Sequence, residues 1–200
     1  MQTSIKQLDP YQEPEVTLDY HLLRVSTCPV SFFLPAGETL RVSANLKGVA
    51  IPAGGGEKQR VHVDASGPDS FRGELTLPAG KYHYILSSPM HFSTHPGYYV
   101  RGSLDLPCSS PHEAVLARGI TVRGTVTDGA GRPRTRSVVG VGFQNDPVLT
   151  GWWTSLGTDH EGRFAMGGIP PGSTLLLEGA REPLILGAVD VEDAHVVISP

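Results

Sequence analysis

Three groups of residues have the side chains that chemistry needs. Asp159, His160 and Glu161 stand together in TDHEGRF. Carboxylates beside an imidazole could move a proton or ligate a metal. Neighbours in a tight turn point in different directions, however, so one such turn does not build a coordination shell, and the expected role is a solvated turn. His83, His91 and His95 fall within thirteen residues, among Tyr82, Tyr84, Tyr98 and Tyr99. Such a group could hold zinc or titrate near neutral pH. A strand histidine followed by a loop pair is not a recognised ligand spacing, and a tyrosine- and histidine-rich sheet face is expected instead. Asp190, Glu192 and Asp193 form an acidic turn near the end of the chain.

No Gly-x-Ser-x-Gly elbow, phosphate loop or dinucleotide fingerprint is present. Lys47 beside Asn45 is too little to define an isopeptide bond, which also needs burial and an acid. No catalytic residue, metal site or cofactor is therefore expected. Cys28 and Cys108 lie outside any Cys-x-x-Cys motif and 80 residues apart. Free thiols are expected, although spacing alone leaves pairing open. The most suggestive surface feature is Trp152-Trp153. Adjacent strand residues face opposite sides, so one ring can enter a core while the other is left to stack on a sugar or a protein. Trp152, Trp153, Tyr98 and Tyr99 are the candidate binding residues.

The elements that would position these residues follow from composition. Charged residues make up 18% and the hydrophobic set 39%, which places the chain among globular proteins. The net charge of −4 is spread without basic blocks, which argues against nucleic acid and a membrane surface as partners. No run approaches the roughly 18 apolar residues of a membrane span. The start of the chain has no apolar segment of the signal-peptide kind. Cytoplasmic residence, or incorporation into a virion or secretion particle, is the expectation.

Gly 24 and Pro 17 punctuate short alternating runs, as an all-β chain requires. Residues 1–14, with Pro10 and Pro14, read as an extended arm. Strands are expected over Val16–Val25, Pro29–Leu34, Thr39–Leu46, Phe71–Leu77, Lys81–Ser87 and Tyr98–Leu106. The turn Pro78-Ala79-Gly80 is expected to close a hairpin-like pair. PHEAVLARG, from Pro111, could make one or two helical turns. The strand pattern restarts at Ile120. An internal echo accompanies it: Phe71 to Gly80 is similar to Phe164 to Gly172, with Pro78 and Pro170 92 residues apart, as are Gly80 and Gly172. Two β-sandwiches in tandem are predicted, over residues 15–110 and 118–200.

The second of these resembles the carboxypeptidase regulatory-like domain, a transthyretin-like β-sandwich. The resemblance rests on Val122-Arg123-Gly124-Thr125-Val126, Asp128 to Pro133, Thr158 to Phe164 and Ile169-Pro170-Pro171-Gly172, in that order, within residues 120–198. Thr174 and Leu175 stand where the family tends to place an aromatic. The segment Gln144–Gly157 is longer than in a minimal member. Elementary chemistry accounts for each block. Gly131 and Gly162 suit turns with positive φ. Asp128 and Asp159 can accept backbone N–H groups two residues on. Phe164 should point between the sheets.

The chain is thus expected to be a non-catalytic structural or adaptor protein. It would act through sandwich surfaces in a larger assembly, oligomeric or bound to other protein subunits, such as a phage capsid, tail or baseplate or a secretion spike. The alternatives are a carbohydrate-binding module using exposed Trp and Tyr, and an accessory domain of a longer enzyme or surface protein.

Overall fold

The computed structural model describes residues 25–40, 45–88, 97–143, 151–177, 184–187 and 189–198; the side chains at 151–154, 156, 176, 177, 184 and 198 fall outside that description. The expected arm, residues 16–24 of the expected strand Val16–Val25, residues 41–44 of the expected strand Thr39–Leu46, and His91 and His95 therefore lie outside the described residues. Among the described residues all regular structure is β: fifteen strands and no helix.

The first seven strands are β1 (Val25–Phe33), β2 (Asn45–Pro52), β3 (Gln59–Asp64), β4 (Ser70–Pro78), β5 (Gly80–Ser87), β6 (Tyr98–Leu106) and β7 (His112–Val115). They form a three-stranded sheet in the order β4-β1-β7 and a facing sheet β3-β2-β5-β6, which β8 (Ala117–Arg118) extends at its edge. Alternation buries Cys28, Val30 and Phe32 from β1 and Leu75 and Leu77 from β4 against Leu46, Tyr84, Leu86, Val100 and Leu104 of the facing sheet.

The second seven repeat this plan. They are β9 (Ile120–Asp128), β10 (Val138–Phe143), β11 (Gly151–Gly157), β12 (Arg163–Ile169), β13 (Thr174–Leu177), β14 (Leu184–Ile185) and β15 (Val191–Ile198). Their sheets run β12-β9-β15 and β11-β10-β13-β14. Strand for strand, the order matches the first sandwich. In each, the opening strand pairs antiparallel on one side and parallel with the closing strand on the other.

The sequence echo is a structural one, but its turn is not a hairpin. β4 pairs with β1, and β5 pairs with β2 and β6, so Pro78-Ala79-Gly80 carries the chain from one sheet to the other. Pro170-Pro171-Gly172 does the same between β12 and β13. Two faces each needing cover drive strands on either side of the corner apart into facing layers. PHEAVLARG is not helical either. It supplies β7, whose alternating half-buried and exposed residues fit the sheet edge it completes, and β8, two exposed residues paired to β6.

The two cysteines, expected as free thiols, form a disulfide, with Cα atoms 5.3 Å apart, a normal separation for the bond. It ties β1 to the segment after β6, joining the two sheets of the first sandwich. A closed loop of this length contributes on the order of 4 kcal/mol in the chain-entropy account.

The sandwiches are fused rather than strung on a linker. Ala50, Tyr84 and Leu86 enter the first core, while Val49, Ile51 and Ile85, on the opposite face of the same strands, enter the second with Val122, Val139, Phe164 and Leu186. Arg101 lies over the Phe143 ring at 5.5 Å. The backbones also meet. β12 is irregular between Met166 and Ile169, and Gly168 there has φ +74°. A Cβ on Gly97 would lie 2.2 Å from the Gly168 nitrogen, and one on Gly119 2.4 Å from its carbonyl carbon. Three glycines thus let three backbone segments touch. The Gly-Gly pair in FAMGGIPPG is the joint between the halves.

A Cβ on Gly168 would sit 2.9 Å from the Ser88 carbonyl oxygen in a backbone conformation that L-residues resist. Gly168→Ala is expected to lower the unfolding free energy by roughly 2–4 kcal/mol in urea titrations. Gly187→Ala, into open space, should stay within about 0.5 kcal/mol.

Candidate interaction surface

The predicted binding residues separate. Tyr98 and Tyr99 are neighbours on β6 and face opposite sides of the five-stranded sheet. Tyr98 belongs to the first core, 6% exposed, and its hydroxyl donates to the Glu38 carboxylate in the turn after β1. Burial, with Glu38 adding to it, pushes the Tyr98 hydroxyl up to about 12. Its backbone N–H donates to the Ser88 hydroxyl at 2.9 Å and its carbonyl accepts from Ser88 N–H at 2.8 Å. Tyr98 is therefore a strut, with no free face for a ligand. Tyr99 is half-buried on the other side, opposite Ser87 and Ala117. Trp152 and Trp153 lie on β11, where Trp152 pairs with Gly142 and Thr154 with Val141. Trp153 is the extra residue of a β-bulge, a feature that re-aims side chains. The two tryptophan side chains lie outside the described residues.

The candidate acid–base groups are absorbed into turns. Asp159 Oδ1 accepts the N–H groups of Glu161 and Arg163, both at 2.8 Å, and Oδ2 accepts Arg163 Nε at 3.1 Å. Asp128 repeats this with Ala130 and Arg132, at 2.9 and 3.0 Å, and with Arg132 Nε at 2.9 Å. Each is an Asp-x-x-Gly-Arg turn, with Gly131 at φ 78° and Gly162 at φ 71°. At Asp128 the Arg132 N–H, helped by Ala130 and the guanidinium, holds the carboxyl below its ordinary range against some desolvation. At Asp159 desolvation pulls upward, and the N–H groups of Arg163 and Glu161 with the Arg163 side chain outweigh it, so that carboxyl is also lowered. Carboxylates so committed are poor proton acceptors. His160 is exposed.

The acidic turn near the end of the chain ties two strands together. Asp190 Oδ1 accepts the Thr121 N–H at 2.6 Å, and Glu192 receives Arg123 at 2.7 and 2.6 Å. His83 bonds Ser103 through Nδ1 at 2.9 Å. Among the described residues no group of three His, Cys, Asp or Glu could hold a metal ion.

One partly buried polar pair was not visible in the sequence. Tyr84 on β5 meets His112 on β7 at 2.7 Å, hydroxyl to Nε2, across the first core. Phe32 packs beside both rings, 6.0 and 6.2 Å away. Burial raises the Tyr84 hydroxyl to about 12 and lowers His112 below its ordinary value. Both are neutral at pH 7. A His112 protonated on Nδ1 can accept the Tyr84 hydroxyl proton at Nε2. Only the arrival of β7 beside β1 brings the two rings together.

The described surface thus offers sheet faces and strand edges. β15 has one side paired to β9 and its other side unpaired among the described strands. Val197 on it, and Val115 on β7, are exposed.

No family model matches the chain, and no curated protein is similar to it. Solved structures do match. The shaft pilin SpaA from Lactobacillus rhamnosus GG is 10% identical over 88% of this chain and 98% of that one, with a TM-score of 0.33. A streptococcal ancillary pilin is 15% identical over 98% and 69%, at 0.31. A putative adhesin from Bacteroides ovatus is 11% identical over 73% and 68%, at 0.34. At such identities and TM-scores these matches say nothing about activity or partners.

Because the fold depresses the His112 pKa, the unfolded chain binds a proton more readily there. The stabilising contribution is present above the unfolded imidazole pKa and is lost as pH falls through the folded one. Urea midpoints of the wild type should fall as pH drops from about 7 to about 5. His112→Gln, which cannot titrate, should show a shallower slope over the same range.

Proposed function

We propose that this chain is a non-catalytic structural or adaptor protein that works through its sandwich surfaces within a larger protein assembly. The observation that supports this most is the fusion of two sandwiches of equal topology, sharing one sheet between two cores, with one edge of β15 unpaired among the described strands. Fused units hold two sets of surfaces at a fixed spacing, which suits a part that spaces or joins subunits. An open edge can accept a strand from a neighbour. The disulfide favours an oxidising setting, as at a cell surface or on a secreted particle, over a reducing cytosol. We take 15–110 and 118–200 as the two domains and 1–14 as an arm that orders on a neighbour. The four motif blocks of residues 120–198 support a carboxypeptidase regulatory-like ancestry for the second domain. In this reading the partners are protein subunits, and neither a cofactor nor a metal is required.

Cross-linking of the oxidised chain in its native extract, followed by mass spectrometry, tests this. Cross-links from β15 or the β7 edge to a second polypeptide are expected. A strict monomer with no cross-linked partner at high concentration would count against the assembly role.

The bulge at Trp153 favours one second reading, a carbohydrate-binding surface on β11. Retardation of the wild type in a polysaccharide gel, abolished in Trp153→Ala, is the outcome it requires.

A further inference from the structure

We infer that the chain is a tension-carrying link: in each half the opening and closing described strands lie side by side and parallel, so that a pull on the two ends shears them in the second half, while in the first half the Cys28–Cys108 bond carries the pull past residues 29–107 and leaves the β1–β7 ladder to be sheared only once that bond is reduced. This rests on the structural role proposed above and gives it a mechanical content.

Direction decides the matter. Tension entering at Val25 draws β1 toward its start. Tension leaving at Val115 draws β7 toward its end. The strands are parallel, with Val30 opposite His112 and Phe33 opposite Val115, so these pulls oppose each other along one axis. Every hydrogen bond of such a ladder is strained together, whereas strands pulled apart from one shared end lose their bonds one at a time. The second half has the same geometry over a longer stretch. β9 is entered at Ile120 and β15 is left at Ile198, with Val191 opposite Val122 and Ile198 opposite Asp128.

Side chains reinforce this second ladder along its length. Asp190 holds Thr121 N–H, Arg123 holds Glu192, and His195 lies between the hydroxyls of Thr125 and Thr127 at 3.1 and 3.3 Å. In the first half a covalent bond takes the place of such contacts. It joins β1, before its paired segment, to the chain just before β7. The stress then passes from Cys28 through sulfur to Cys108, and the strands from Pro29 to Pro107 stand outside its path. Between the halves the chain never runs free. Leu116 N–H donates to the Phe33 carbonyl, β8 pairs with β6, and Gly119 N–H donates to the Gly97 carbonyl.

Single-molecule pulling on one chain in two geometries tests this. Gly129 is exposed, follows β9, and has open space where a Cβ would be. A Gly129→Cys chain, with Cys28 and Cys108 oxidised, is held either by its two ends or by residue 129 and its C-terminal end. The second geometry unzips β9 from β15. The end-to-end pull should need at least about twice the force at the same loading rate, because bonds sheared together resist more than bonds broken in turn. It should release roughly 25 nm, the second half alone, with a second event of similar size only under reductant. Equal forces in the two geometries, or release of both halves in the oxidised chain, would overturn the inference. Both pulls use the isolated, identical chain. A strong clamp in a chain that never assembles would sink the assembly role alone, and equal forces in a chain that does assemble would sink the clamp alone.

Discussion

The structure depends on one sheet that is apolar on both faces. In β2, Val49 and Ile51 point one way and Ala50 the other; in β5, Ile85 opposes Tyr84 and Leu86. Left uncovered, either face would expose a contiguous apolar patch of the kind a monomer avoids. The sheet β4-β1-β7 covers one face. The second sandwich covers part of the other and completes its own core there. Burying three side chains of this size from water is worth roughly 1.5–3 kcal/mol each, an upper estimate of what the shared sheet gives the joint. The glycine contact at Gly97, Gly119 and Gly168 follows from that closeness, since side chains at those points would hold the halves apart.

Much of the fold could be read from residue order. Alternation located most strands, and proline with glycine located the corners. The equal spacing of Pro78–Gly80 and Pro170–Gly172 marked a repeat that the strand order displays in full. The Asp-x-x-Gly-Arg turns behave as their residue types require, and Phe164 is buried as expected. What escaped was long-range. Whether a Pro-Gly corner closes a hairpin or crosses between sheets depends on which faces need cover, and local chemistry is the same in both. Four residues at a sheet edge, His112–Val115, are too short for a period to separate strand from helix. The pairing of Cys28 with Cys108, and of Tyr84 with His112, is set by the return of the chain beside β1, which no local pattern encodes. One signal was available: YIL in β5 and VAI in β2 are unbroken apolar runs, the mark of strands buried on both sides.

The candidate surface was less legible than the fold. Polar types draw attention in a sequence because they can react, but in this chain they hold turns and strands. Asp128 and Asp159 close their own loops, Asp190 and Glu192 fasten β15 to β9, and Tyr98 braces the end of β6 against Glu38. Using charge for such fastening leaves faces and edges as the places where partners can meet the molecule. The backbone ladders, in turn, set opening and closing strands in parallel contact twice, the arrangement from which the proposed resistance to pulling follows.

Residue-resolved hydrogen exchange on full-length Ile85→Ala tests the shared sheet most directly. Ile85 lies on β5, within the first half of the chain, and is fully buried in the second core. The account predicts that β9, β10 and β12 amides lose protection together with those of β2 and β5, by an amount reflecting a cavity cost of roughly 2–5 kcal/mol. Protection in β9, β10 and β12 that stays at the wild-type level while β5 weakens would contradict it.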